Sequence, residues 1–175
     1  VARNFEAYKK GESREVPDVP FQMLTALELG TPEWTAIARR APWQMTRMNL
    51  NTFARHGVFK QEGMTKLIAA RLRDPEKIAR ARVFPYQLMV AYTMAASNPE
   101  IPRYVCEALQ DAMEIATQNV QEIPGKVYLF PDVSGSMHSP VTGYRKGSTS
   151  AVRCIDVAAL VAATVLRKNP RAEVI

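Results

Sequence analysis

The order of hydrophobic and polar positions changes character near Gly125. Before that residue, apolar side chains recur every three or four positions, which is the period of an amphipathic helix. Proline, glycine and the capping residues Thr31 and Asp74 divide this part into short segments, because they mark helix starts and stops. The pattern predicts helices over 34–41, 43–55, 63–72, 75–81, 86–96 and 102–120.

The helix predicted over 102–120 has two different faces. Its apolar stripe is formed by Val105, Leu109, Ala112, Ala116 and Val120. Short helices with a single apolar face, joined by turns with proline and glycine, are typical of HEAT-like helical repeats, in which neighbouring helices cover each other. The sequence contains no exact repeat, so an irregular helical bundle is the alternative architecture.

After Gly125 the pattern becomes strand, loop, helix and strand. Residues 126–130 form an apolar run with aromatic and branched side chains, which predicts a strand. Ser148 or Ser150 is placed to cap a helix over 152–165, which is apolar nearly all round and is therefore expected to be buried against a sheet. Residues 171–175 begin a second strand.

This strand–helix–strand order predicts the opening of a Rossmann-like α/β domain. One such unit cannot cover both faces of its own sheet, so we expect the protein to continue beyond Ile175. The predicted organisation is a helical segment over 1–125 and the N-terminal part of an α/β domain over 126–175. The predicted fold class is mainly α.

The composition is that of a globular protein. Of the 175 residues, 47% are hydrophobic and 23% are charged, which excludes a disordered chain. No apolar run approaches the roughly 18 residues that cross a bilayer, and the N-terminus lacks the apolar segment of a signal peptide. The lack of such a run predicts no membrane partner. Cys106 and Cys154 are far apart and have no metal-ligand neighbours, which favours a reduced, cytoplasmic setting.

Positive charge is concentrated in one part of the predicted helical segment. The chain has a net charge of +6, but residues 39–82 contain eleven Lys and Arg against three acidic residues, which gives +8. A basic block within folded helices attracts phosphate backbones, and such binding weakens as salt rises because counterions are released. The charge pattern therefore favours a nucleic-acid partner.

The predicted helix over 43–55 places polar and basic side chains on one face, since they follow steps of three and four. Amides and guanidinium groups together suit phosphate contacts and hydrogen bonds to exposed base edges. The candidate RNA-binding residues are Arg39, Arg40, Gln44, Arg47, Asn51, Arg55, His56, Lys60 and Lys66. The alternative is an ordinary solvated helix face. Asn49 lies on another side of the helix, where we expect it to hydrogen-bond a neighbouring helix.

Oxygen-bearing side chains follow directly after the first predicted strand. Asp132, Ser134 and Ser136 occur in the run Asp132-Val133-Ser134-Gly135-Ser136. In open α/β sheets, such loops face a crevice at the carboxyl end of the strand. One carboxylate and two hydroxyls are hard donors that suit Mg²⁺. The alternative is an ordinary turn rich in serine and glycine.

Two catalytic motifs are excluded by spacing. Residues 135–139 lack the central serine and closing glycine of a nucleophile elbow, and residues 143–149 lack the lysine of a phosphate loop. His138 lies near two serines, but no orienting carboxylate follows at a recognisable place. We therefore expect no catalysis at this turn, and an enzyme would need a base or nucleophile elsewhere in the protein.

The run from Asp132 to Ser136 resembles the metal-ion-dependent adhesion site of von Willebrand factor A domains. The resemblance implies that Asp132, Ser134 and Ser136 bind Mg²⁺. In that family a threonine and an acidic residue from later loops complete the site. Taken with the segments 20–25 and 42–59, a helical array followed by this motif resembles the TROVE module of the Ro ribonucleoprotein family.

This resemblance implies a ring of HEAT-like repeats closed by the A domain. It also implies binding of small noncoding Y RNAs on a basic outer surface, and of single-stranded ends of misfolded RNAs in the central hole, for RNA quality control. A further implied partner is an exoribonuclease. An acidic protein is a candidate partner at the metal site for a separate reason, because two neutral hydroxyl ligands leave the metal electrophilic. The competing hypothesis is a metal-dependent protein-interaction module that captures a partner carboxylate and binds no nucleic acid.

Overall fold

The computed structural model describes residues 2–13, 15–17, 19–24, 26–144 and 151–175. The α-helices are α1 (Ala2–Lys9), α2 (Phe21–Leu24), α3 (Thr31–Arg40), α4 (Trp43–Met48), α5 (Leu50–Arg55), α6 (Met64–Leu72), α7 (Pro75–Ala81), α8 (Pro85–Ala96), α9 (Arg103–Ala116) and α10 (Cys154–Lys168). Short 3-10 helices span Val58–Lys60, Thr117–Asn119 and Gly135–His138, and the strands are β1 (Val127–Leu129) and β2 (Ala172–Val174). The mainly α fold class is confirmed.

Local capping signals account for the start of two helices. The carboxylate of Asp74 accepts the backbone N–H of Lys77 at 3.1 Å, so the predicted cap and bounds of α7 are confirmed. The predicted cap of α3 at Thr31 is wrong, because α3 already includes that residue. Its cap is Gly30, whose N–H donates to the Glu33 carboxylate at 2.9 Å.

The single helix predicted over 43–55 is wrong, because the chain leaves helical geometry at Asn49 with φ −114° and ψ 16°. The Asn49 amide donates to the backbone carbonyl of Met45 at 2.9 Å, four residues earlier. Side chains of this kind compete with the backbone for hydrogen bonds and disturb helices. The expected bond from Asn49 to a neighbouring helix is therefore also wrong, and the polar stripe is divided between α4 and α5.

The core of the helical segment is continuous from Val16 to Ala116. Helix α9 lies at its centre, where it packs against α6, α7 and α8. The predicted apolar stripe of α9 is confirmed, since Val105, Leu109, Ala112 and Ala116 are buried and Val120 is half-buried. The packing of successive helices is consistent with helical repeats.

The predicted strand–helix–strand order is confirmed. Strands β1 and β2 are parallel, with Val127 opposite Ala172 and Leu129 opposite Val174, and α10 precedes β2. The predicted caps Ser148 and Ser150 lie outside the described residues. Helix α10 begins at Cys154, and the N–H of the preceding residue, Arg153, donates to the Asp156 carboxylate at 2.9 Å. The domain boundary at 125 and the assignment to a von Willebrand factor A domain stay predictions.

Helix α10 was expected to be buried, and this expectation is wrong. Of the residues of α10, Thr164 is buried, whereas Val161 is 45% exposed. Among the described residues, α10 packs mainly against α8, β2 and the 3-10 helix Gly135–His138. Because these elements cover one side of α10, its remaining apolar positions are partly open to solvent.

Candidate functional site

The basic side chains of residues 39–82 fall into two groups. Five are engaged by other parts of the protein: Arg40, Arg47, Arg71, Arg73 and Lys77. The other six are exposed, and within the described ranges their side chains have no hydrogen bond or ion pair. We call these six residues the open cations: Arg39, Arg55, Lys60, Lys66, Arg80 and Arg82. Net charge alone therefore overstates the surface available to a ligand.

Arg71 is a structural cation. Its guanidinium donates to the carbonyls of Ala38 at 2.7 Å and Arg39 at 2.6 Å, and to the Thr46 hydroxyl at 2.9 Å. These carbonyls belong to the last turn of α3, where the helix dipole favours a positive charge. Partial burial lowers the pKa of Arg71 from its usual value. The side chain thus joins α6 to the end of α3 and the start of α4.

Arg47 and Gln44 belong to the predicted binding face, but Arg47 is held by the protein itself. It is half-buried, and it donates to the Gln87 carbonyl at 3.1 Å and, more weakly, to the Gln44 side-chain oxygen at 3.4 Å. Burial lowers the pKa of Arg47. Arg47 therefore connects α4 with α8. Arg40 is exposed, but it also has an internal partner, because its guanidinium donates to the Val16 carbonyl at 2.8 Å.

His56 and Asn51 also have partners within the helical segment. The His56 ring stacks on Trp34 with 4.6 Å between centroids and 18° between planes. Burial, and then the charge of Arg55, lowers the pKa of His56, so the ring is neutral near pH 7. The Asn51 oxygen accepts a hydrogen bond from the Asn98 amide at 2.9 Å. Neither residue is a freely projecting group.

Three of the open cations follow one another along a contiguous stretch of the fold. Arg55 ends α5, Lys60 ends the next 3-10 helix, and Lys66 lies in the first turn of α6. The 3-10 helix packs on both α5 and α6, which keeps these positions near one another. Arg80 and Arg82 were not among the predicted site residues. Both lie within residues 39–82, and the concentration of positive charge in that range was the signal that could have added them to the candidate RNA-binding residues.

The predicted metal ligands lie in an exposed loop after β1. The Asp132 carboxylate accepts the backbone N–H of Ser134 at 2.8 Å, and the hydroxyl oxygens of Ser134 and Ser136 are 3.0 Å apart. The Ser134 backbone N–H, and then the Ser134 hydroxyl, lowers the pKa of Asp132 and so favours the carboxylate. All three side chains are brought together by one short turn.

The chemistry of these side chains suits a magnesium ion, since one carboxylate and two hydroxyls are hard oxygen donors. The two serine hydroxyls are hydrogen-bonded to each other at 3.0 Å, and adjacent oxygens around Mg²⁺ also lie about 3.0 Å apart when the metal–oxygen distance is about 2.1 Å. Among the described residues, no group of three or more His, Cys, Asp or Glu side chains could hold a metal ion. A metal at this loop would therefore depend on one protein carboxylate and two hydroxyls.

The start of α10 is attached to the same loop. The Cys154 N–H donates to the Ser139 carbonyl at 3.0 Å, and the Arg153 guanidinium lies 3.3 Å from His138 Nδ1. Arg153 also pairs with Asp156 at 3.1 Å. These contacts fix the 3-10 helix that follows Ser134.

The whole arrangement is similar to a solved structure, the Ro (RSR) protein of Deinococcus radiodurans. The match covers 99% of this chain and 42% of that protein, with a TM-score of 0.62 and 23% sequence identity. The fold is Ro-like. No family model matches the chain, and no curated protein matches it.

The Ro-like fold includes both the helical segment and the strand–helix–strand unit, since nearly the whole chain is matched. The chain spans about two-fifths of the length of the Deinococcus protein. No described helix is both long and apolar enough to cross a membrane.

Proposed function

We propose that this protein binds RNA through its open cations, as the RNA-binding component of a small ribonucleoprotein. The observation that carries the proposal is the group of Arg39, Arg55, Lys60 and Lys66, which are exposed and have no internal partner in the described ranges. Such charges are free to neutralise phosphates. The Ro-like fold supports the same function.

The proposed ligands are small noncoding Y-like RNA and the single-stranded ends of misfolded RNA, in RNA quality control in the cytoplasm. An exoribonuclease is the proposed protein partner. These details are supported by the family resemblance of the sequence. The proposed role is binding and not catalysis.

The proposal predicts a large effect when the contiguous cations are neutralised. The variant Arg55→Gln/Lys60→Gln/Lys66→Gln should bind a single-stranded RNA oligomer at least about tenfold more weakly, and its log–log salt slope should fall by about 2, because each lost phosphate contact contributes about 0.7. Binding isotherms at several salt concentrations measure both quantities.

A matched control removes the same charge elsewhere. Lys9→Gln/Lys10→Gln/Arg171→Gln changes exposed positions outside residues 39–82 and should leave most of the affinity and the slope intact. If both triple variants lose affinity equally, the effect is one of net charge and the assigned surface is wrong. If neither loses affinity, the RNA-binding proposal fails.

A second candidate function is metal-dependent binding of a protein, and the exposed loop of Asp132, Ser134 and Ser136 favours it. These residues would hold Mg²⁺, which when bound supplies a coordination position for a carboxylate of an acidic partner. The Ser134 N–H holds the Asp132 side chain, and the short 3-10 helix fixes both serines. The loop thus provides a prearranged set of oxygen ligands.

The variant Asp132→Asn tests this second function. The amide oxygen can still accept the Ser134 N–H, but the charge that attracts Mg²⁺ is lost, so we expect metal affinity to fall at least about tenfold. Isothermal titration with MgCl₂ measures the change. Glu122→Gln, an exposed position in the linker, is the control and should bind as the unchanged protein does. Equal affinity in Asp132→Asn would remove Asp132 from the site.

A further inference from the structure

A cleft of about 500 Å³ lies between residues 27–29, α3 and the α4–α5 segment. Its volume is in the range of small-molecule sites, about 300–1,000 Å³. The side chains that matter for ligand chemistry are Glu28, Trp34, Asn49, Thr52, Arg55 and His56. We propose that this cleft binds one unstacked guanine nucleotide of single-stranded RNA, an inference that rests on the proposed RNA-binding function.

One wall of the cleft is a rigid aromatic stack. The His56 ring lies parallel to Trp34, and Trp34 in turn meets Phe53 edge-on with 6.4 Å between centroids. Trp34 stacks on the His56 ring, and both residues line the cleft. Proteins bind unstacked bases by placing them on fixed aromatic surfaces of this type.

The polar groups of the cleft are rich in hydrogen-bond acceptors. Glu28 supplies an exposed carboxylate. The amide nitrogen of Asn49 donates one of its two hydrogens to the Met45 carbonyl, and the Asn49 oxygen is a further acceptor. Such a wall selects a ligand edge that carries donors. Guanine presents two adjacent donors, N1–H and the N2 amino group, to a single carboxylate, whereas the other three bases present a donor beside an acceptor or a single donor between acceptors.

Arg55 places a positive charge at the same cleft. Its side chain is exposed and is one of the open cations, so it is available for the phosphate attached to the bound base. Guanidinium and phosphate form paired, charge-assisted hydrogen bonds. The cleft thus combines a stacking wall, a carboxylate for the base edge and a cation for the backbone. These are the three groups that one nucleotide requires.

Isothermal titration of the full chain with 5′-GMP, 5′-AMP, 5′-CMP and 5′-UMP tests the proposal. We expect 5′-GMP to bind about tenfold more tightly than the other three, because a bidentate contact discriminates to this degree. Glu28→Gln should abolish the preference, while Glu122→Gln, with the same change of charge at an exposed position, should retain it. Equal affinities for the four nucleotides, or a preference that survives Glu28→Gln, would overturn the proposal.

The double variant Lys60→Gln/Lys66→Gln separates this inference from the function on which it rests. Neither lysine lines the cleft. If the double variant loses affinity for an RNA oligomer but binds 5′-GMP normally, both proposals are supported. Salt-dependent RNA binding without a guanine preference would overturn the cleft alone. A Glu28-dependent guanine preference without RNA binding would support the cleft and overturn the wider function.

Discussion

The helical segment and the strand–helix–strand unit are stabilised in different ways. The helical segment has one continuous core from Val16 to Ala116. In the described part of the second unit, the buried residues are Val152, Thr164 and Asn169, and only the first is apolar. Because burial of apolar surface is the main stabilising contribution, the helical segment is expected to hold its structure by itself and the second unit to depend on its attachments.

Two polar contacts attach the second unit to the preceding residues, besides the packing of α10 against α8. Arg167 of α10 pairs with Glu114 of α9, with 2.8 Å between one nitrogen and one oxygen, and both side chains are more than half exposed. Asn169 is buried, and its oxygen accepts the Ile123 N–H of the linker at 2.6 Å. Exposed ion pairs contribute little, so Asn169 is the more important of the two contacts. The comparison predicts that damage to the core affects the whole helical segment, whereas damage to an attachment affects the second unit.

The largest expected effect follows from Arg71→Met. This change keeps the length of the side chain but leaves two carbonyls of α3 and the Thr46 hydroxyl without their donor. Loss of a partly buried charged donor costs about 2–3 kcal/mol of unfolding free energy. Urea unfolding measures the change, and hydrogen exchange should accelerate in α3, α4 and α6.

Arg39→Met is the matched control, since Arg39 is exposed and its guanidinium has no partner in the described ranges. We expect a change within about 0.5 kcal/mol. An equal loss of stability in both variants would mean that removal of any arginine destabilises this segment, and the distinction between engaged and open cations would be wrong.

The sequence predicted the parts of the fold that depend on local signals. Asp74 followed by Pro75 marks the start of α7, and the stripe of α9 is visible because its period is helical. The break at Asn49 was missed, since it depends on a side-chain bond that competes with the regular apolar pattern. The exposure of α10 was missed because apolar composition cannot reveal how many elements cover a helix.

The candidate site was predictable to a smaller degree. The loop of Asp132, Ser134 and Ser136 is local, so its compact geometry follows from the motif. The roles of Arg71 and Arg47 are set by carbonyls that lie 33 and 40 residues away in the chain, and charge counting cannot separate such cations from open ones. The stacking of His56 on Trp34 also depends on tertiary packing.

A smaller effect is expected when the second unit loses its buried attachment. Asn169→Ala removes the acceptor of the Ile123 N–H and the donor to the Val165 carbonyl at 2.8 Å. We expect a loss of about 1 kcal/mol. Hydrogen exchange should accelerate in β1, β2 and α10, with α6 and α9 unchanged. The control is Gln118→Ala, which removes an exposed amide from the helical segment. If Asn169→Ala accelerates exchange throughout the chain, the two regions unfold as one unit.

The smallest expected effect concerns His56, the histidine of the helical segment. Its pKa in the folded protein lies below its value of about 6.5 in the unfolded chain, because burial and the charge of Arg55 disfavour the imidazolium. As the pH falls through about 6.5, the unfolded chain gains a proton that the folded protein does not bind. Stability is therefore fully present above that pH, declines below it, and becomes constant once the pH passes the folded pKa.

Urea midpoints between pH 8 and pH 5 measure this decline, which we expect to be smaller than the loss caused by Asn169→Ala. His56→Phe keeps a flat ring against Trp34 but cannot titrate, so the decline should become shallower. His138→Gln, which removes the histidine of the strand–helix–strand unit, is the matched control. A decline that survives in His56→Phe and disappears in His138→Gln would assign the pH dependence to the exposed loop. Protonation would then act on the second unit and not on the core of the helical segment.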